Sequence, residues 1–252
     1  MSDEPRPKRQ AKYKRIADDL RTAIEGGEYG PGERLPGEHA LASQYDVAVM
    51  TVRQAIGVLK TEGLAESRKG AGVFVLAFKP IRRRGITRLS HEHWGAGRSI
   101  WSADENRPLA VDQVVIDEVH PPPAIANVLG LEGGQTACMR ARRYVLEGRP
   151  VMLATSYLSQ ELVEGSAITR ADTGPGGIYA RLADLGHAPS RFREEIRSRM
   201  PTADEADRLG LPATRPVLVV ARTAFDNEGL AVEVNEMTMD SASYVLDYEF
   251  DA

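Results

Sequence analysis

The sequence is poor in the residues that staple or decorate a protein: one cysteine, Cys138, and five histidines in 252 residues. A lone cysteine cannot close an internal disulfide, and so thin a set of soft ligands is a weak basis for a metal centre. The one close histidine pair, His91-Glu92-His93, does not change that inventory. No apolar run of about eighteen residues is present, so no membrane-spanning helix is expected. The polar, proline-containing start, Met1 to Gln10, does not read as a secretory signal, and the expected location is the cytoplasm. Absent too are a Gly-Lys-Ser/Thr phosphate loop, a dinucleotide fingerprint, zinc-ligand spacing and a nucleophile elbow. The expectation is a chain that uses no cofactor and no metal and is not an enzyme.

What is present is an uneven distribution of charge. The net charge of −4 averages a basic start and an acidic remainder: residues 1–84 hold 16 Lys+Arg against 11 Asp+Glu, and residues 85–252 hold 16 against 25. A basic region attracts phosphates and an acidic one is repelled by them. The length suits two domains of ordinary size.

Residues 1–10, with Arg6, Lys8 and Arg9 among prolines, read as a disordered arm, either a solubilising tail or a phosphate-touching one. Ile16, Leu20 and Ile24 then recur at helical spacing until Gly26-Gly27. Gly30-Pro31-Gly32 forces a turn, Pro36-Gly37-Glu38 opens a short second helix, and Asp46-Val47-Ala48 separates it from a third carrying Val52, Ile56 and Leu59. Leu64–Arg68 and Val73–Leu76 read as two strands around the basic, glycine-rich tip Lys69-Gly70-Ala71-Gly72. Three helices and a hairpin over residues 11–78 outline a winged helix-turn-helix. In that geometry the third helix offers its first turn to the major groove, which makes Val49, Met50, Thr51, Arg53 and Gln54 the candidate readers. Arg68, Lys69 and Gly70 would lie at a minor groove or backbone.

These residues resemble the DNA-binding domain of GntR-type bacterial repressors. The match rests on Leu35-Pro36-Gly37-Glu38, Met50-Thr51-Val52-Arg53-Gln54-Ala55-Ile56, Glu62-Gly63-Leu64 and Lys69-Gly70-Ala71-Gly72-Val73-Phe74-Val75. The resemblance implies double-stranded DNA as partner and adds His39 to the DNA-binding set. His39 and Val49 stand where the family usually has arginines, so the family's usual operator does not carry over. Ala48 replaces the usual Ser or Thr cap, at a cost to that helix of about 1 kcal/mol.

The cluster Arg82-Arg83-Arg84 after Lys79-Pro80 reads as part of a linker over 79–90 passing near DNA. Beyond it lies an internal repeat. Ile116, Pro121, Leu129-Gly130-Leu131 and Ala141-Arg142 recur as Ile196, Pro201, Leu209-Gly210-Leu211 and Ala221-Arg222. Each copy reads as a strand, a proline-started short helix and a two-stranded hairpin, which points to one pseudo-symmetric antiparallel sheet with helices on it. Between the copies, Asp172-Thr173-Gly174-Pro175-Gly176-Gly177 precedes a helix and reads either as a plain turn or as backbone N–H groups offered to an anion.

Residues 91–252 resemble the UTRA effector domain of the HutC-like subfamily through Arg140-x-Arg142, Gly148-Arg149-Pro150-Val151, Ser156-Tyr157-Leu158, Gly177-Ile178-Tyr179 and Val232-Glu233-Val234. The resemblance implies an α+β chain whose winged helix-turn-helix is followed by a chorismate-lyase-like antiparallel sheet domain serving effector binding and dimerisation. By the same resemblance Arg140, Arg142, Ser156 and Tyr157 line the ligand cleft and Glu233 and Tyr244 close it. Strand alternation agrees that Arg140 and Arg142 share a face, which is either the cleft or a solvated surface. Asp240-Ser241-Ala242-Ser243-Tyr244 replaces the basic Arg-Gly-Asp-Arg-Tyr of many relatives, which argues against carrying over the subfamily's phosphosugar effectors. The expected function is a homodimeric repressor that reads a palindromic operator and answers to a small-molecule effector. An enzyme acting on a small carboxylate and a ligand-free architectural DNA-binding protein are the alternatives.

Overall fold

In a computed structural model, the stripe Ile16, Leu20 and Ile24 turns one side of α1 (Lys12–Glu25) onto α3 (Val49–Thr61), whose Val52, Ala55, Ile56 and Leu59 face back. The structure describes residues 11–77, 80–85, 87–98, 100, 104, 107–212 and 214–249, so the expected arm at 1–10 lies outside the described residues. Helix α2 (Glu38–Tyr45) adds Leu41 and Ala42 to the same core. It stops at Asp46, whose left-handed φ of 50° reverses the chain toward α3, a conformation a short polar side chain tolerates. A hairpin of β1 (Ala65–Arg68) and β2 (Gly72–Val75) closes this core with Ala65 and Val75. Arg21 donates to both carboxylate oxygens of Glu62 (2.6 and 3.0 Å) and to Asp18 (2.6 Å), tying α1 to the end of α3. These elements make up the first of two units, which divide between Lys79 and Pro80.

The second unit opens with β3 (Ile81–Arg84) and α4 (His91–Trp94). The expected linker over 79–90 is therefore corrected. β3 pairs in parallel with β10 (Tyr244–Asp247), and Arg83 is fully buried because Glu194 and the Tyr248 hydroxyl take its guanidinium. A cluster of arginines reads as solvated until a buried acid is found for one of them.

Six strands then form one antiparallel sheet in the order β4-β5-β6-β9-β8-β7. The first half runs β4 (Leu109–Val119), α5 (Pro123–Leu129), β5 (Ala137–Leu146) and β6 (Arg149–Ser159). After α6 (Gln160–Val163) and α7 (Gly177–Asp184), the second half repeats it as β7 (Arg191–Arg199), α8 (Ala203–Leu209), β8 (Val217–Phe225) and β9 (Ala231–Asp240). The sequence repeat is thus a pseudo-twofold between β6 and β9. Its helices end alike, at the left-handed Gly130 (φ 66°) and Gly210 (φ 63°). Helices α5 and α8 cover one face through Ile125, Leu129 and Leu209. The other face packs Cys138, Leu158 and Ala224 against Trp94, Val163, Tyr179 and Leu182.

Candidate functional sites

The first turn of α3 separates its side chains by what the core can use. Val52 is buried, Val49 leans half-buried onto the core, Thr51 is half-buried, and Met50, Arg53 and Gln54 project outward. Met50 is 62% exposed, an apolar side chain in water with no packing role. Arg53 Nε donates to Glu38 Oε2 at 2.7 Å, so the first turn of α2 holds the guanidinium at the start of α3. His39 is exposed one residue further along α2. No side chain caps α3 at Ala48. On the hairpin, Arg68 stacks over Phe74 at 4.3 Å and bonds Glu66 at 3.0 Å, while Lys69 and Gly70 form the exposed tip. The nine residues expected to meet DNA therefore divide into an α3 set of five, a hairpin set of three, and His39 on α2. All nine keep some contact with water, Val49 and Thr51 the least.

In the second unit, strand register lines up one row across the inner sheet face. Ile116, Arg140, Ser156, Asn235, Arg222 and Glu194 are successive cross-strand partners. Above the row lies a cavity of about 410 Å³, lined among others by Arg142, Ser156, Arg222, Glu233, Asn235 and Tyr179. Its polar floor is a directed chain. Asn235 Nδ2 donates to Ser156 Oγ (2.6 Å), Ser156 Oγ donates to Glu233 Oε1 (2.7 Å), and Tyr179 Oη donates to Glu233 Oε2 (2.9 Å). Arg222 Nη2 stands 3.9 Å from Glu233 Oε2, and its guanidinium lies 5.5 Å from the centre of the Tyr179 ring. Burial pushes the Tyr179 hydroxyl well above its ordinary pKa, which keeps it a donor to Glu233.

Three of the six expected effector residues, Arg142, Ser156 and Glu233, line this cavity and three do not. Arg140 shares their face but is spent on backbone: it donates to the carbonyls of Ile168, Arg170 (2.5 Å) and Ala171 (3.3 Å). It thereby fixes the loop that forms one wall, and burial with Arg142 nearby lowers its pKa to about 10. Tyr157 follows Ser156 on one strand and must point the other way, where it packs on Ile125, Leu129 and Val234. Tyr244 is buried on β10, its hydroxyl 4.0 Å from Met152 Sδ. Sequence reasoning missed Arg222, Asn235 and Tyr179. The repeat that pairs Arg142 with Arg222 was a usable signal for the first, and the alternation from Glu233 to Asn235 for the second.

The glycine-rich turn before α7 forms another wall. Its N–H groups are taken internally: Gly174 donates to Asp172 Oδ1 (2.8 Å), Gly176 to Gly97 O (3.1 Å) and Gly177 to Gly174 O (3.1 Å). Of the two readings of this segment, the plain turn is the one its hydrogen bonds support. Gly176 is required there, because at φ 78° a Cβ would meet Ala180 at 2.5 Å and the Trp94 carbonyl at 3.0 Å.

The altered C-terminal stretch also has a physical partner set. Asp240, fully buried, accepts from Arg149 (2.8 Å) and from Ser243 Oγ (2.7 Å), with Arg215 at 3.6 Å. An acid therefore holds two arginines at the start of the segment 240–244.

Two family models match the chain: that of bacterial regulatory proteins of the gntR family over residues 12–75, and that of the UTRA domain over residues 105–244. An uncharacterized HTH-type transcriptional regulator of Streptomyces coelicolor is 34% identical over 232 residues, covering 88% of this chain and 86% of its own. The HTH-type transcriptional repressor NagR of Bacillus subtilis is 28% identical over 223 residues, with 88% and 87% covered. Among solved structures, one assigned to a GntR-family transcriptional regulator superposes with a TM-score of 0.63 at 25% identity, covering 96% of this chain and 98% of that one. PhnF from Mycobacterium smegmatis has the same fold, with a TM-score of 0.57 at 24% identity and coverage of 94% and 99%.

Proposed function

Because the chain belongs to the GntR family of bacterial regulatory proteins and carries the UTRA effector domain of its HutC-like members, we propose that it is a homodimeric repressor whose hold on a palindromic operator is set by a small molecule. Residues 11–78 read the DNA and residues 91–252 bind the effector and dimerise. The sheet with helices on both faces favours the chorismate-lyase likeness for the second part. In the first, α3 presents Met50, Thr51, Arg53 and Gln54 to base edges while Arg68, Lys69 and Gly70 meet the backbone or minor groove. With valine and histidine at two positions the family usually fills with arginine, Arg53 and Gln54 carry more of the reading.

The observation that supports effector control is the position of Arg222. It lines the cavity, and its cross-strand partner Glu194 holds Arg83, which lies on the first strand after the unit boundary. A ligand that engages Arg222 therefore bears on the segment that leads back to the DNA-binding unit. For this to regulate, the ligand must bind the DNA-competent and DNA-released arrangements unequally. Such a regulator acts in the cytoplasm.

The test is selection of genomic fragments by the full chain, followed by the mass of the complex on the enriched site. An inverted repeat bound by two copies is expected. A bound set with no shared repeat, or one copy per site, overturns the dimeric reading.

A further inference from the structure

The hydrogen-bond directions in the cavity define what its ligand must offer. A serine hydroxyl has one proton. Ser156 gives its proton to Glu233, so toward Asn235 it can only accept, and the Asn235 amide must present Nδ2 to it. Turning that amide over would set two acceptors against each other at 2.6 Å. The Oδ1 of Asn235 is thereby fixed as an acceptor, and among the described residues it is buried without a partner. Directly opposite on β8, Arg222 Nε and Nη1 are buried donors that also lack a partner among the described residues. Buried polar groups of this kind are costly unless satisfied, so a donor site and an acceptor site stand side by side awaiting a complementary pair.

Charge then narrows the head group. Among the described residues the charged side chains lining the cavity are Arg142 and Arg222 against Asp172 and Glu233, which balance. A phosphate monoester would bring up to about two negative charges into that balanced and partly buried site. The turn before α7 has no free N–H of Gly174, Gly176 or Gly177 to receive them. The rest of the wall includes Leu109, Val111, Val114 and Ile178, which suit an apolar body.

We propose that the cavity takes a phosphate-free small molecule with an apolar body, whose head sets a carbonyl-type acceptor beside an N–H or O–H donor, the acceptor on Arg222 and the donor on Asn235. This rests on the reading of the cavity as the effector site.

Two probes with the same tail test it: hexanamide, whose carbonyl and N–H lie side by side, and hexyl phosphate. Dissociation constants for the full chain are read by ligand-observed NMR. Hexanamide is expected to bind about tenfold or more tightly than hexyl phosphate, and Asn235→Leu to weaken hexanamide by about tenfold. Equal or tighter binding of hexyl phosphate, or no binding of hexanamide, overturns the proposal on the unmodified protein, whether or not the variant folds. Operator affinity is measured in parallel. Hexanamide that binds without changing operator affinity supports this ligand chemistry and removes the effector reading. Preference for hexyl phosphate together with operator release does the opposite.

Discussion

Two groups of arginines, one in each unit, are held in opposite ways. In the first, Arg53 and Arg68 are 57% and 46% exposed and their partners Glu38 and Glu66 are themselves in contact with water. Such pairs contribute little to stability, so a phosphate or a guanine can take the guanidinium at small cost. In the second, Arg83, Arg88, Arg140 and Arg222 are buried, held by Glu194, by Asp104, by backbone carbonyls and beside Glu233. There each charge depends on its partner, because water is not available as a substitute. Exposure thus separates arginines that a new partner could take from arginines that organise the fold. Arg222 stands apart within the second class, buried like the others but with two donors that have no partner among the described residues, at the wall of the cavity.

The largest effect should come from breaking a buried pair. Glu194→Ala leaves Arg83 and the neighbouring Arg222 short of an acid and is expected to destabilise the second unit by about 3–5 kcal/mol. Both tryptophans, Trp94 and Trp101, lie after the unit boundary, so urea unfolding followed by tryptophan fluorescence reports that unit. Adding Arg83→Met to Glu194→Leu should recover most of the loss. If Glu194→Ala instead unfolds at the same urea concentration as wild type, the buried pairs are no different from the surface ones and the contrast fails.

A smaller effect is expected at the exposed arginines, and in binding rather than stability. Arg53→Ala should weaken operator binding by about 1–3 kcal/mol and leave the unfolding curve within about 0.5 kcal/mol of wild type. Lys69→Ala should weaken specific and nonspecific duplexes alike and reduce the salt slope by about one. Fluorescence anisotropy over a salt series checks both. Arg53→Ala that binds the operator like wild type would mean that α3 is not the reading helix.

How much of this was legible in the sequence follows the same division. The first unit was readable because its elements are local: Ile16-Leu20-Ile24 and Val52-Ile56-Leu59 mark helix faces, and the glycine-rich tip marks the hairpin. The pseudo-twofold sheet was readable because the chain states it twice. The cavity was only half readable. A motif such as Ser156-Tyr157 names two neighbours, although strand alternation sends one into the cavity and the other onto α5. Arg140 and Arg142 do share a face, but only the fold shows that carbonyls 28 to 31 residues away take up Arg140. Arg83 was misassigned to a linker for the same reason, its partner Glu194 being 111 residues distant.

The smallest effect concerns how the two units begin a helix. In the second, α8 starts with a full capping box: Thr202 Oγ1 accepts from Glu205 N–H (3.3 Å) and Glu205 accepts from Thr202 N–H (2.8 Å). Arg199 also bonds Glu205 through both oxygens (2.6 and 2.7 Å), and this pairing holds the carboxyl at a pKa of about 2 against an ordinary 4.5. A depressed pKa means that the ionised form is the stabilising one. Its contribution is complete above about pH 4.5 and is lost as pH falls toward about 2. Screening at the half-exposed Arg199 limits it to about 1–2 kcal/mol, so Glu205→Gln should differ from wild type at neutral pH and converge with it in acid. At α3 no side chain caps Ala48 and the first turn holds no acid, so Ala48→Ser should stabilise that helix by about 1 kcal/mol. Hydrogen exchange should slow about fivefold at the amides of Val52 and Ile56, by the same factor at neutral and at acid pH. A gain at Ala48 that faded with acid as the Glu205 contribution does would mean that charge, and not a missing hydroxyl, distinguishes the two helix starts. A gain that holds would mean that α3 does without a cap that one oxygen atom could supply.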